Sequence, residues 1–332
     1  MHINLSWVNR NENKKINFFS KLKNKFFPKL NAGEIINIKA IDVSLGCIPR
    51  LIHQTFYTKN LPNELQENID KIKKLNPNWI YKLYDDDEVL DFIKVHYEPH
   101  VLKSFEQIDH KYGAARADLF RYLLIYKLGG IYLDIKASMN IPLDLVLKSD
   151  DSFILAQWGD SGQFKQWGAH YDLAHVPGGE FQQWHIAATP GHPFLKAVIQ
   201  SVLVNIDKYN PSLHGTGQTG VIKVTGPVAY TAAIAPLLKL HSHRLLKHHN
   251  EIGFLYSIYN NESDVNVNEV HKTSFRSHYS SLTSSVVKLS RGKRVFALFT
   301  FILNSIHELY LKNMFIHLVK KISQIRLPFE RE

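Results

Sequence analysis

The sequence predicts an α/β fold in which a mostly parallel central sheet is covered by helices on both faces. Between Arg50 and Trp158, short runs rich in β-branched and aromatic residues alternate with stretches whose apolar residues recur at helical spacing, the order that builds parallel sheets. With 332 residues, 45% of them apolar, the chain can bury a substantial core. Apart from lysine-rich ends it carries no low-complexity tract, and it has no internal repeat.

The elements follow in order. "RLIHQTFY", from Arg50 to Tyr57, reads as a first strand. Pro62 then opens a helix whose Leu65, Ile69, Ile72 and Leu75 share one face, and "NPN" at Asn76 to Asn78 stops it. "WIYKLY" alternates as a second strand. Asp85, Asp86 and Asp87 precede the helical "EVLDFIKVHY", where carboxylates cap a helix and favour the positive end of its dipole. The same triplet holds carboxylates at metal-binding spacing, a rival use. "GAARADLFRYLLIYKLGG" is a long helix closed by Gly129 and Gly130, because glycine takes the left-handed conformation that ends helices. The strand "IYLD" comes directly after, followed by "PLDLVL" and a further apolar run, "SFILAQW". Ligands of such sheets collect beyond the carboxyl ends of the strands, and Asp134 stands at one of them. From about residue 159 the pattern loosens into a Gly-, aromatic- and His-rich stretch with the character of binding loops.

Composition excludes several classes. Cys47 is the only cysteine, so the chain alone builds neither a disulfide nor a cysteine-based zinc site, which suits a reducing compartment. The start, "MHINLSWVNRNENKK", lacks the basic, apolar and small-residue order of a secretory signal, and the expected location is cytoplasmic. The formal net charge of +10 divides unevenly: residues 1–40 and 288–332 each carry +6, leaving −2 between them. Charge confined to the ends points away from a nucleic-acid partner, whose binders carry a basic stripe on the folded body. In "KKINFFSKLKNKFFPKL", Ile16, Phe19, Leu22, Phe26 and Leu30 recur near helical spacing among lysines. Such a helix either lies on an anionic membrane surface or packs its apolar stripe on its own domain. The run "VFALFTFILNSI", Val295 to Ile306, falls short of the roughly 20 residues that span a bilayer. It reads as a buried core helix or as a second interfacial contact. The histidines of "HSHRLLKHHN" lack supporting carboxylates in register and read as a solvated loop.

The chemistry concentrates in the central segment. Asp118 and Arg121 are three residues apart on one helix and project to the same side. As a surface ion pair they would contribute only about 0.3–0.5 kcal/mol. Facing the strand end, they would set a carboxylate and a guanidinium beside Asp134. The block "AARADLFRYLLIYKLGGIYLDIK" resembles the donor-site motif of the DXD-containing family 32 glycosyltransferases, a group that includes yeast initiating mannosyltransferases and bacterial capsule and lipooligosaccharide transferases, with the glucosylating domains of clostridial toxins as distant relatives. Weaker likeness extends to "IPRLIHQTFY", "NPNWIYKLYDDD", "TPGHPFLKAVI" and "TGP", covering roughly residues 46–235.

The resemblance implies a Rossmann-type domain of the GT-A kind over residues 46–287. Its donor half would be 46–158 and its acceptor half 159–287, with a basic extension at 1–45 and a basic, apolar helical extension at 288–332. It implies a retaining transfer of a hexose from a nucleotide-diphosphate sugar, a UDP-sugar by expectation, to a glycan or lipid-linked glycan acceptor in surface polysaccharide or lipooligosaccharide synthesis; the basic ends place that work at the cytosolic face of a membrane. Position by position, it implies that Asp134 contacts the donor ribose and a divalent cation, Mn2+ or Mg2+. Asp118 would hold the sugar and Arg121 the phosphate, while Gln54, Thr55 and Phe56 would border the nucleotide base. Lys136 departs from the pattern where the family often has the second metal-binding Asp, and an ammonium cannot coordinate a cation. Asp134 would hold the ion with a later residue such as His278, Glu269 or His271, or Lys136 would itself neutralise the diphosphate, or the protein would be a silent nucleotide-sugar or glycan binder.

Overall fold

A computed structural model describes residues 46–159, 167–259, 279–303 and 305–306. The predicted alternation is present. Strand β1 (Leu51–Thr55) is followed by helix α1 (Asn63–Leu75), β2 (Ile80–Tyr84), α2 (Asp86–His96), α3 (Pro99–Gln107), α4 (Gly113–Leu128) and β3 (Gly130–Leu133). Then come β4 (Ser138–Met139), β5 (Phe153–Ala156), β6 (His185–Ala188), α5 (Pro193–Asp207), α6 (Gly217–Val224), α7 (Pro227–Ile234), β7 (Arg244–Leu246) and β8 (Phe254–Leu255). "PLDLVL" supplies a single helical turn, Leu143–Val146.

The main sheet runs β2-β1-β3-β6-β5-β7. All its strands are parallel except β6, which pairs antiparallel with both β3 and β5. A mostly parallel sheet is therefore observed, with one reversed strand at its centre. That strand comes from the stretch after residue 159, so the two halves expected from the sequence share one sheet. β4 and β8 form a small antiparallel pair beside it.

Side chains alternate across the strands and bury two separate layers. Tyr132, Phe153, Leu155, Ile186 and Ala188 face α2 to α7, whereas Ile131, Leu133, Ile154, Ala156 and Ala187 face Ile72 of α1, Trp79 and Phe254. Helix α4 lies inside the larger layer, and each residue from Asp118 to Tyr126 is buried. Its closing glycines follow from sterics. Gly129 and Gly130 have φ of 67° and 92°, and a Cβ on Gly129 would stand 2.6 Å from the Pro190 ring.

The Asp85 triplet is a cap. Asp85 Oδ1 accepts from the Glu88 amide at 2.9 Å, and the Glu88 carboxylate accepts from the Asp85 amide at 3.2 Å, a reciprocal capping box. Two expectations need correction. The histidine-rich stretch is not a solvated loop throughout: Leu246 seals the edge strand β7, Arg244 pairs with Asp151 at 2.6 Å, and His249 is buried against Gln182. Nor is the "VFALFTFILNSI" run a buried core helix. Residues 291–303 are helical, but only Ala297 and Thr300 are buried, held by Asn210 and Ser212, while Val295, Leu298 and Phe301 are 60–70% exposed. The helix touches the fold along a stripe too narrow to cover its apolar residues. The helical stretch Gly217–Leu237 has the length and apolarity to cross a membrane, yet over half of it is buried in the core. The basic N-terminal stretch lies outside the described residues.

Candidate functional site

The carboxyl edge of the sheet opens into a cavity of about 880 Å3. Thr55 and Phe56 reach it from the end of β1, Asp134 and Lys136 from the end of β3, and Arg116 and Arg121 from α4. The sequence-predicted centre is thereby assembled, because β3 and the antiparallel run of α4 before it bring Asp134 and Arg121 to the same edge. Asp134 is fixed at its backbone: its amide donates to Trp184 O at 2.8 Å, and its carbonyl accepts from Gln54 Nε2 at 3.0 Å and Ala137 N at 2.8 Å. Its side chain is 39% exposed, and that surface faces the cavity. Gln54 itself is fully buried and takes a hydrogen bond from the Tyr81 hydroxyl at 2.7 Å, so it braces Asp134 from behind while Thr55 and Phe56 form cavity wall.

Behind the wall lies a buried polar network. Arg121 Nη2 meets Asp134 Oδ1 at 2.8 Å and Asp118 Oδ1 at 3.3 Å. Its Nη1 donates to the Gln183 carbonyl at 2.8 Å and to Gln183 Oε1 at 2.9 Å, and its Nε donates to Ala117 O at 3.3 Å. The guanidinium thus makes three hydrogen bonds and two ion-pair contacts inside the protein, a planar fork used on both sides. Asp118 is 3% exposed and accepts from Thr225 Oγ1 at 2.9 Å and from Gln183 Nε2 at 3.1 Å. The pair is therefore not a surface ion pair, and neither Asp118 nor any spare Arg121 donor is presented to the cavity. Gln183 and Thr225 are site residues that local sequence patterns miss; "TGP" touched the second without assigning it a role.

Electrostatics follow from this burial. Burial raises the carboxyls of Asp118 and Asp134 above their ordinary range, opposed chiefly by Arg121 in both cases. Burial pulls the Lys136 ammonium down to about 8, with Asp134 opposing. For Arg121, burial acts downward and is outweighed by Asp134, Tyr132 and Asp118, so its charge is locked on. The Tyr132 ring lies under the guanidinium at 4.7 Å, and its hydroxyl donates to Asp134 Oδ1 at 3.2 Å.

The described residues do not fit a hard divalent cation. Among them, no three His, Cys, Asp or Glu side chains converge on a point that could hold a metal. Asp134 Oδ1 is already taken by Arg121 and Tyr132, and Lys136 offers no lone pair while charged. His278, Glu269 and His271, the other expected ligands, lie outside the described residues.

Fold and site together define an α/β protein with a cation-lined ligand cavity at the carboxyl edge of its sheet. Residues 62–154, which hold α1 through β5 and include Asp118, Arg121, Asp134 and Lys136, match the family described as the glycosyltransferase sugar-binding region containing DXD motif. Mannosyl phosphorylinositol ceramide synthase SUR1 of Saccharomyces cerevisiae is 37% identical over 100 residues, 30% of this chain and 25% of that protein. Inositol phosphoceramide mannosyltransferase 1 of Schizosaccharomyces pombe is 27% identical over 168 residues, 49% of this chain and 44% of its own. The initiation-specific alpha-1,6-mannosyltransferase of S. cerevisiae is 24% identical over 189 residues, 47% of this chain and 39% of that protein. The chain thus spans between a quarter and under half the length of these relatives. Among solved structures, the UDP-bound glycosyltransferase domain from the YGT toxin is 10% identical, with a TM-score of 0.44 over 64% of this chain and 81% of that domain. The family resemblance drawn from the helix, two glycines and strand of the central block is met.

Proposed function

We propose that the protein is a glycosyltransferase that moves a hexose from a nucleotide-diphosphate sugar, bound in the 880 Å3 cavity, to a glycan or lipid-linked glycan acceptor. One observation carries this reading: within the segment matching the DXD sugar-binding region, Asp134 leaves the carboxyl end of β3 and turns into that cavity with its backbone tied on both sides. In the transfer, the bond from the sugar's anomeric carbon to the diphosphate oxygen breaks and its electron pair goes to the diphosphate. The acceptor oxygen bonds to the carbon, and its proton passes to the released diphosphate. Negative charge grows on the leaving group, so fixed cations along the wall stabilise the transition state. The retaining course follows from the family resemblance, and no protein nucleophile is named.

UDP-sugars are the donors expected from the sequence. The mannosyl names carried by the relatives put GDP-mannose beside them, and a role in surface polysaccharide or lipooligosaccharide synthesis stands as part of the same proposal. The exposed apolar helix at residues 291–303, headed by Arg291, Lys293 and Arg294, supports work at an anionic membrane surface.

The test is release of nucleoside diphosphate by the purified protein from UDP-galactose, UDP-glucose, UDP-N-acetylglucosamine and GDP-mannose, with crude glycan acceptors, in manganese and in chelator. Release that disappears in Asp134→Asn is the expected result. A second reading, a silent nucleotide-sugar or glycan binder, draws on Lys136 standing in the second Asp position. Turnover of any donor eliminates it, and no turnover of any donor with any acceptor removes the transferase reading.

A further inference from the structure

A half-buried cation that forms no ion pair among the described residues stands in the cavity wall. Arg116 lies five residues before Arg121 on α4, about 7.5 Å along the helix axis. It lines the same cavity, and its guanidinium packs over the Phe105 ring at 4.2 Å. Among the described residues it forms no ion pair and donates no side-chain hydrogen bond; Asp86 and Glu106 act on it only through space. Its contrast with Arg121 is chemical. Arg121 is engaged inside the protein by three hydrogen bonds and two carboxylates, whereas Arg116 donates to no described side chain and faces whatever enters.

The charge along the wall points to what enters. Lys111, Arg116, Arg121 and Lys136 line the cavity against Asp86 and Asp134, four cations to two carboxylates and a formal +2. A sugar-linked diphosphate carries about two negative charges at neutral pH, equal in size and opposite in sign. Sites lined by carboxylates need a divalent cation to reverse their charge before a diphosphate can bind. Here the described wall is already reversed, and its one exposed acid at the strand end is paired to Arg121.

We propose that Arg116 and Lys136 form the clamp for the donor diphosphate and carry the charge that a divalent cation would otherwise bring. The inference rests on the transferase reading and assigns its phosphate contacts. Arg116 supplies a planar fork of N–H donors to one phosphate, Lys136 a point charge to the oxygens nearest Asp134. Arg121 then becomes a positioning residue for Asp134.

Isothermal titration of the full chain with UDP and with GDP, in EDTA and separately in manganese, tests this. At least one nucleotide is expected to bind in EDTA within about threefold of its affinity in manganese. Arg116→Gln and Lys136→Met each weaken that binding about tenfold or more, and Arg116→Lys restores part of it. Arg116 has no hydrogen bond to lose within the described protein, so its variants melt close to the parent, which separates lost contact from lost fold. Binding that needs manganese, or Arg116→Gln with parental affinity, overturns the clamp and leaves the transferase reading standing. If neither nucleotide binds in either buffer, the transferase reading falls and the clamp with it.

Discussion

Arg121→Lys separates two roles that the sequence leaves joined. If this side chain were a phosphate ligand, lysine would keep the charge and the protein would stay folded while nucleotide affinity dropped. The structure demands another outcome. Arg121 is 3% exposed, donates hydrogen bonds to both oxygens of Gln183 and to Ala117, and forms ion pairs with Asp134 and Asp118. An ammonium has three donors and no planar fork, so it cannot serve Gln183, Ala117 and both carboxylates at once. Breaking a buried pair in this way costs about 3–5 kcal/mol. For a protein of this size that lowers the melting temperature on the order of 10 °C. Thermal and urea unfolding followed by circular dichroism measure the loss. A variant within about 1 kcal/mol of the parent, with nucleotide affinity reduced tenfold, would refute the structural assignment.

Three further outcomes follow from the same contacts. Thr225→Val keeps the side chain's shape but removes the donor to Asp118; it should cost about 1.5–3 kcal/mol, and Thr225→Ser distinctly less, whereas the reverse order would mean that the methyl group and not the hydrogen bond matters. His170 Nε2 donates to the Glu180 carboxylate at 2.6 Å, and that hydrogen bond, against burial, raises the imidazole above its ordinary range. A raised folded pKa gives stability that is present below about pH 6.5 and lost as pH rises through the folded value, so His170→Gln should be destabilising in mildly acidic buffer and nearly neutral in mildly alkaline buffer. A destabilisation independent of pH would rule out the charged pair. Leu298→Glu combined with Phe301→Glu places two charges on the exposed helix face, and co-sedimentation with anionic liposomes should fall severalfold while the melting temperature holds; unchanged sedimentation removes this helix from the membrane contact.

Much of the fold was legible because its signals are local. The apolar face of α1, the glycines ending α4 and the run "IYLD" each state their conformation within a few residues, and Asp134 inherits its place from the last of them. The cap at Asp85 was legible for the same reason. What escaped depends on residues far apart in the chain. Asp118 and Arg121 carry a helical spacing that fits a surface pair equally well, and only Gln183 and Thr225, from beyond β5, decide that they are buried. Strand β6 hid because four residues, "HIAA", carry little periodicity in a stretch rich in loop formers. Lys136 was visible as an oddity, yet its companion Arg116 was not. Nothing in "GAARADLF" says that this arginine, unlike Arg121 five residues on, finds no side-chain acceptor among the described residues.

The reversed strand has a consequence for how the chain is made. β6 separates β3 from β5, and both depend on it for hydrogen bonds along one side. A nascent chain that has emerged only as far as β5 holds a sheet with its middle rung absent, an Asp134 tied at its carbonyl but not at its amide, and an Asp118–Arg121 pair still waiting for Gln183 and Thr225. The stretch recognised by family likeness, residues 62–154, is therefore a unit of inheritance without being a unit of folding. Its sheet can close only after β6 has been made, so shorter chains leave β3 and β5 with unpaired edges, the kind of edge that invites association.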